Sequence, residues 1–251
     1  MKKHLFIFVG IIALSCFCFS SCSQAVKKNN DGISIQLKSE QSNVVKSIRL
    51  QVVTDDIIHV TATPDKFSKN ESLIASYSGT KTTGWDYRQT ESEAILKTTT
   101  TIATVSLQTG EIVFSDKQGN VILKENEGGG KSFQPMQADG YNAYSIRQVL
   151  ESPDDEAFYG LGQHQSDEFN YKGRNEILYQ YNTKVSVPFI VSNKNYGILF
   201  PRFGYKNKNK TSFGRLKRFC KYLYINGLQP CVSHPFSPPH LYPPALRRAG
   251  A

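Results

Sequence analysis

The chain has 251 residues, 39% hydrophobic and 20% charged, with a formal net charge of +9; because a (β/α)8 barrel alone takes about 250 residues, this length excludes a barrel joined to a second domain. The charge is unevenly placed: residues 23–200 carry 18 Lys and Arg against all 21 Asp and Glu, whereas residues 201–251 carry ten Lys and Arg and no acid. A mildly acidic body with basic ends excludes the nucleic-acid partner that the global charge suggests.

Lys2 and Lys3, followed by the apolar run from Leu5 to Phe19, predict a secretion signal over residues 1–22, too short for a comfortable membrane span. The run ends in Phe19-Ser20-Ser21-Cys22-Ser23, which resembles a bacterial lipobox with Cys22 as the lipidated residue. Small side chains at Ser20 and Ser21 suit a signal peptidase. Cys16, after Ala13-Leu14-Ser15, is the weaker candidate because it would cut the apolar run short, and an ordinary cleaved signal is the alternative. An acyl anchor tethers a soluble domain to a bilayer, so the expected location is the periplasm or the outer membrane. Residues 23–200 contain no cysteine, so neither a disulfide nor a Cys-based zinc site is expected, and no cofactor is implied.

Residues 23–32, rich in Lys and Asn, read as a linker. From Ile33 the pattern takes period two: Ile33, Ile35 and Leu37, then Ile48, Leu50 and Val52 around Arg49 and Gln51, then Ile58, Val60 and Ala62 around His59 and Thr61. Such alternation marks half-buried antiparallel strands, and Asp55-Asp56 stands at hairpin distance between two of them. Further strands are predicted at 94–97, 102–107, 111–114, 121–124, 143–150, 185–191 and 196–200. Gln108-Thr109-Gly110 and Asp116 to Asn120 are turn clusters, and Glu127-Gly128-Gly129-Gly130-Lys131 reads as a flexible loop. No segment sustains a helical period. Many short strands with regular turn signals predict an all-β chain built as a β-sandwich.

Phe158 to Phe200 reads FYGLGQHQSDEFNYKGRNEILYQYNTKVSVPFIVSNKNYGILF. With the strand pair from Ser47 to Ala62, it resembles the galactose-mutarotase-like N-terminal β-sandwich of family 31 glycoside hydrolases, and its wording is similar to Bacteroidetes α-xylosidases. The resemblance spans residues 33–200. It implies that a (β/α)8 barrel follows in the parent enzyme and carries the catalytic carboxylates. It also implies that the parent's substrate is an α-linked oligosaccharide of xyloglucan type, cleaved with retention by two carboxyl groups about 5–5.5 Å apart. Residues 201–251 hold seven of the 11 prolines and no acid. They depart from the family pattern and read as an aberrant, irregular tail, either frameshifted or disordered.

The acidic clusters do not suggest a replacement catalytic pair. Asp154-Asp155-Glu156 reads as a solvated turn, and Asp167-Glu168 are neighbours that point to opposite faces of an extended chain. His164 reads as a surface histidine, lacking a paired carboxylate for proton transfer at an anomeric centre. Gly160-Leu161-Gly162 lacks the third glycine, helix and Lys-Ser/Thr pair of a phosphate loop, and its glycines suit close backbone packing at a strand end. The resemblance implies that a loop here reaches over the barrel mouth, which makes Tyr181, Asn182 and Thr183 candidate substrate-binding residues, by ring stacking and by hydrogen bonds to sugar hydroxyls.

The leading expectation is therefore a non-catalytic N-terminal fragment of an exported family 31 enzyme, inactive alone. One alternative is a surface glycan-binding lipoprotein with an aromatic platform at Tyr141–Tyr144 and Tyr179–Tyr181. The other is a mutarotase-like sugar epimerase.

Overall fold

A computed structural model describes residues 25–37, 45–65, 67, 84–138, 141–165, 169–174, 176–179, 182–200, 206–207, 210–217 and 222–230. The signal segment with Cys22, the Asp167-Glu168 pair and Tyr181 lie outside the described residues.

Among the described residues every regular element is a strand, and every pairing is antiparallel. The first sheet runs in sequence order through β1 (Val26–Asn29), β2 (Gly32–Gln36), β3 (Ser47–Thr54) and β4 (Ile57–Thr63). The second runs through β5 (Asp86–Gln89), β6 (Glu93–Lys97), β7 (Thr101–Ser106), β8 (Ile112–Asp116) and β9 (Val121–Lys124). Then come β10 (Lys131–Ala138), β11 (Tyr141–Glu151), β12 (Phe158–Gln163), β13 (Glu176–Tyr179), β14 (Val185–Ser192) and β15 (Tyr196–Leu199). The last strands are β16 (Lys206–Asn207), β17 (Lys210–Lys217) and β18 (Tyr222–Pro230). The third sheet has the order β10-β11-β18-β17-β13, with β16 beside β17, and the fourth has the order β12-β14-β15.

The period-two pattern builds the main core. Ile33 and Ile35 of β2 and Ile48, Leu50 and Val52 of β3 cluster with Ala94, Leu96, Ala103, Val105 and Ile112 of the second sheet, and Phe133 joins them. Fully burying an Ile or Leu side chain stabilises by about 1.5–3 kcal/mol, so this cluster holds the two sheets together. Asp55-Asp56 makes the β3–β4 turn, where the Thr98 and Thr100 hydroxyls donate to the Asp55 carbonyl at 2.6 and 2.7 Å. A second cluster of Leu150, Phe158, Leu161, Tyr171, Leu178 and Ile190 lies under the fourth sheet.

Three expectations are corrected. Residues 26–29, read as linker, form β1, and Val26 is fully buried; one apolar residue among Lys and Asn is too short a signal to show periodicity. Lys131, read as the end of a flexible loop, opens β10 with its ammonium buried against the Glu125 carboxylate and 3.2 Å from the Gly110 carbonyl. Burial raises the Glu125 carboxyl and lowers the Lys131 ammonium; their mutual charge and hydrogen bond oppose both shifts, and the Ile112 amide, donating to Glu125 at 3.0 Å, opposes the first. The third correction concerns only the irregular conformation expected of the tail: residues 206–207, 210–217 and 222–230 are strands. β18 pairs with β11 from Ala143↔Pro230 to Glu151↔Tyr222, and β17 pairs with β13 and β18. Backbone pairing needs no apolar alternation, and the Tyr222-Leu223-Tyr224-Ile225 run shows none.

Candidate functional site

Glycines shape the local backbone of the β12–β14 pair. Gly160, Leu161 and Gly162 have φ of 106°, 65° and 94°, and the register with β14 shifts between the two glycines. A Cβ on Gly162 would stand 2.0 Å from the Val185 carbonyl oxygen, which only glycine permits. The bulge turns Leu161 fully into the second core cluster, as expected for close packing at a strand end.

His164 follows the bulge and is buried, its side chain 1% exposed, which corrects the surface reading. Its Nε2 lies 2.7 Å from the Leu161 carbonyl oxygen; a carbonyl only accepts, so Nε2 carries the hydrogen. Nδ1 faces Glu176 Oε1 at 3.3 Å, off the direction of a hydrogen bond. The same Glu176 oxygen accepts from Lys184 Nζ at 3.2 Å. Tyr171 stands edge-on to the His164 ring at 6.3 Å, and burial, then the charge of Glu176, raises its phenol pKa. A carboxylate beside His164 is therefore present, although sequence spacing does not reveal it. Yet one ring nitrogen is engaged by Leu161 and the ring is closed to solvent. It presents no nitrogen to a sugar's anomeric centre, which removes support from the epimerase alternative.

Lys184 and Glu176 bracket the turn that holds Asn182 and Thr183, both exposed, immediately before β14. The clamp fixes the base of this turn and leaves its two polar side chains facing solvent. Of the proposed aromatic platform, Tyr144 is half-buried and packs against the main core: its ring meets Phe133 edge-on at 6.0 Å, and its hydroxyl donates to Asp65 at 2.8 Å. Tyr181 and the side chains of Tyr141 and Tyr179 lie outside what the structure describes.

The Asp154–Glu156 turn is solvated only in part. Asp154 and Asp155 are exposed, and Asp155 pairs with Lys194. Glu156 is 3% exposed, and its Oε1 accepts from the Ser192 and Tyr196 hydroxyls at 2.5 Å each. Burial, then the Glu156 hydrogen bond and charge, raises the Tyr196 phenol far above its ordinary range. Glu156 thus ties the turn to β14 and β15. Among the described residues no group of three or more His, Cys, Asp or Glu is placed to hold a metal, and no helix is long and apolar enough to cross a membrane.

The fourth sheet has an inverted face. Along β14 the buried positions are Ser186, Pro188, Ile190 and Ser192, and the outward ones are Val185, Val187, Phe189 and Val191. Register places Tyr159 beside Val191 and Leu199 beside Phe189. These six large apolar side chains are each 39–50% exposed. A solvent-facing strand normally turns polar residues outward, so this is a contiguous, uncovered apolar patch. Sequence reading finds the strand but not its face, because both faces of β14 contain apolar residues.

A model of the glycosyl hydrolase 31 N-terminal galactose mutarotase-like domain matches residues 47–203. The chain is 30% identical over 141 residues to an α-xylosidase of Saccharolobus solfataricus, covering 49% of this chain and 19% of that one. Among solved structures, the GH31 α-xylosidase of Xanthomonas citri aligns with a TM-score of 0.67 and 36% identity, over 76% of this chain and 20% of its own. A GH31 α-xylosidase from a soil metagenome, complexed with xylose, aligns with a TM-score of 0.60 at 19% identity, over 82% of this chain and 32% of its own, and shows the fold alone. The chain spans about a fifth of the length of the first two relatives.

Proposed function

Since this chain belongs to the family of glycosyl hydrolase 31 N-terminal galactose-mutarotase-like domains, we propose that it is the non-catalytic supporting module of an α-xylosidase acting on xyloglucan oligosaccharides. The observation that carries this reading is the apolar face of Tyr159, Val185, Val187, Phe189, Val191 and Leu199. Left in water, a patch of this kind favours association; covered by a catalytic barrel, it becomes an interdomain contact. The exposed Asn182 and Thr183 sit directly before that face, where hydrogen bonding to a sugar beyond the cleaved bond is the role they suit. The two carboxylates of a retaining mechanism belong to the barrel. The test is hydrolysis of an aryl α-xyloside by the purified chain: no turnover above a vector control is expected, and measurable turnover overturns the reading.

The same proposal places the chain outside the cytoplasm with Cys22 acylated. Labelling with radioactive palmitate should mark the chain and fail on Cys22→Ser; equal labelling of both would refute the anchor.

A further inference from the structure

A groove lies between the edges of the first and second sheets. β1 is an edge strand of the first sheet and β5 an edge strand of the second. Between them Lys28, Asn29, Asn30, Gly84 and Trp85 line an open groove of about 570 Å3, within the roughly 300–1,000 Å3 of ordinary ligand clefts.

The groove's chemistry is specific. Trp85 is half-buried and packs against the main core, so its ring is held in place. Tyr87, two residues on, packs there as well. Lys28 Nζ stands over both rings, 5.0 Å from the Trp85 centroid and 5.8 Å from that of Tyr87. Lys28 is exposed, so its flexible stem swings aside at little cost. Asn29 is oriented by a 2.7 Å hydrogen bond from its amide nitrogen to the Ser34 hydroxyl, and Asn30 is exposed. Among the described residues, none that lines the groove is acidic.

A fixed indole offers a flat apolar surface for the C–H face of a pyranose. Paired amides and an ammonium supply both donors and acceptors for vicinal hydroxyls. A single exposed ammonium gives an anion only about 0–1 kcal/mol, so charge alone does not define the ligand. The geometry points to a neutral oligosaccharide as the occupant of the Lys28–Asn30–Trp85 groove. Lys28 moves off the ring as the sugar stacks and then donates to its hydroxyls. This site goes beyond the supporting-module reading and uses a different pair of sheets from the apolar face, so either proposal can fail without the other.

Trp85 is the only tryptophan in the chain, which makes its fluorescence a reporter of this groove alone. The full chain is titrated with xyloglucan heptasaccharide, and separately with inorganic phosphate, while Trp85 emission is followed. The expected result is a saturable change with the heptasaccharide and none with phosphate. Lys28→Ala/Asn30→Ala, both surface changes, should raise the apparent Kd by about tenfold with an unchanged far-UV circular dichroism spectrum. No saturable response to the sugar, an equal response to phosphate, or a double variant that titrates like the parent would overturn the proposal.

Discussion

The Phe189 ring lies across Gly197, its Cζ and Cε2 standing 2.8 and 2.9 Å from where a Cβ on that glycine would be. The register pairs Gly197 with Val191, two residues along β14 from Phe189 on the same face. The missing side chain gives the ring a bed on the neighbouring strand, while Phe189 remains 40% exposed. An aromatic plate fixed this way has already lost most of its rotamer freedom, which lowers the entropic cost of docking a partner on it.

Gly162→Ala should be among the most damaging single-methyl changes in the chain. The new Cβ would meet the Val185 carbonyl oxygen at 2.0 Å, and the backbone at φ 94° is strained for any other residue. A loss of at least about 2 kcal/mol is expected, read as a lower urea midpoint. An unchanged midpoint would show that the β12 bulge relaxes freely.

The Glu125–Lys131 pair should behave as a buried ion pair whose halves depend on each other. Both side chains are nearly closed to solvent, at 7% and 6% exposure. Lys131→Met alone leaves a buried carboxylate and should cost about 3–5 kcal/mol. Glu125→Gln/Lys131→Met removes both charges while keeping an acceptor for the Ile112 amide, and should recover more than half of that loss. Additive losses in a double-mutant cycle would contradict the coupling.

Asp31 should make a small part of the stability acid-dependent. Burial alone raises its carboxyl, but hydrogen bonds from Gln51 and Arg49, together with the Arg49 charge, outweigh that and hold it below 3.8. A depressed folded pKa stabilises the native state above the unfolded value, and the gain is lost as pH falls through the folded one. With 42% of the Asp31 side chain exposed, screening limits the effect to under about 1 kcal/mol. Urea midpoints should favour the parent over Asp31→Asn at neutral pH and converge as pH falls through the folded pKa of Asp31. A difference that persists in acid would assign it to geometry and not to charge.

Much of the fold was legible because its strands obey one rule. Ile33, Ile35, Ile48, Leu50 and Val52 alternate with polar neighbours, and all five are buried in the main core. The rule fails where a strand carries too few apolar residues, as in β1, or where the apolar residues do not alternate, as in β18. The site was less legible. His164 and Glu176 are twelve residues apart and meet only in the folded chain. The Lys28–Trp85 groove joins the edges of two sheets distant in sequence. The apolar face lies on β14, a strand that the sequence does reveal. Which side of β14 it occupies depends on Ser186 and Ser192 pointing inward, Ser192 to a buried Glu156, and this follows from three-dimensional placement and not from hydropathy.

Sedimentation velocity of the full chain beside Val187→Asp/Phe189→Asp tests the supporting-module account most directly. Both side chains are part of the exposed apolar face and outside the buried clusters, so the double variant keeps its core. The account predicts concentration-dependent association of the parent chain and a 28.2 kDa monomer for the variant. A parent that stays monomeric, or a variant that associates just as strongly, would contradict the claim that this face awaits a partner.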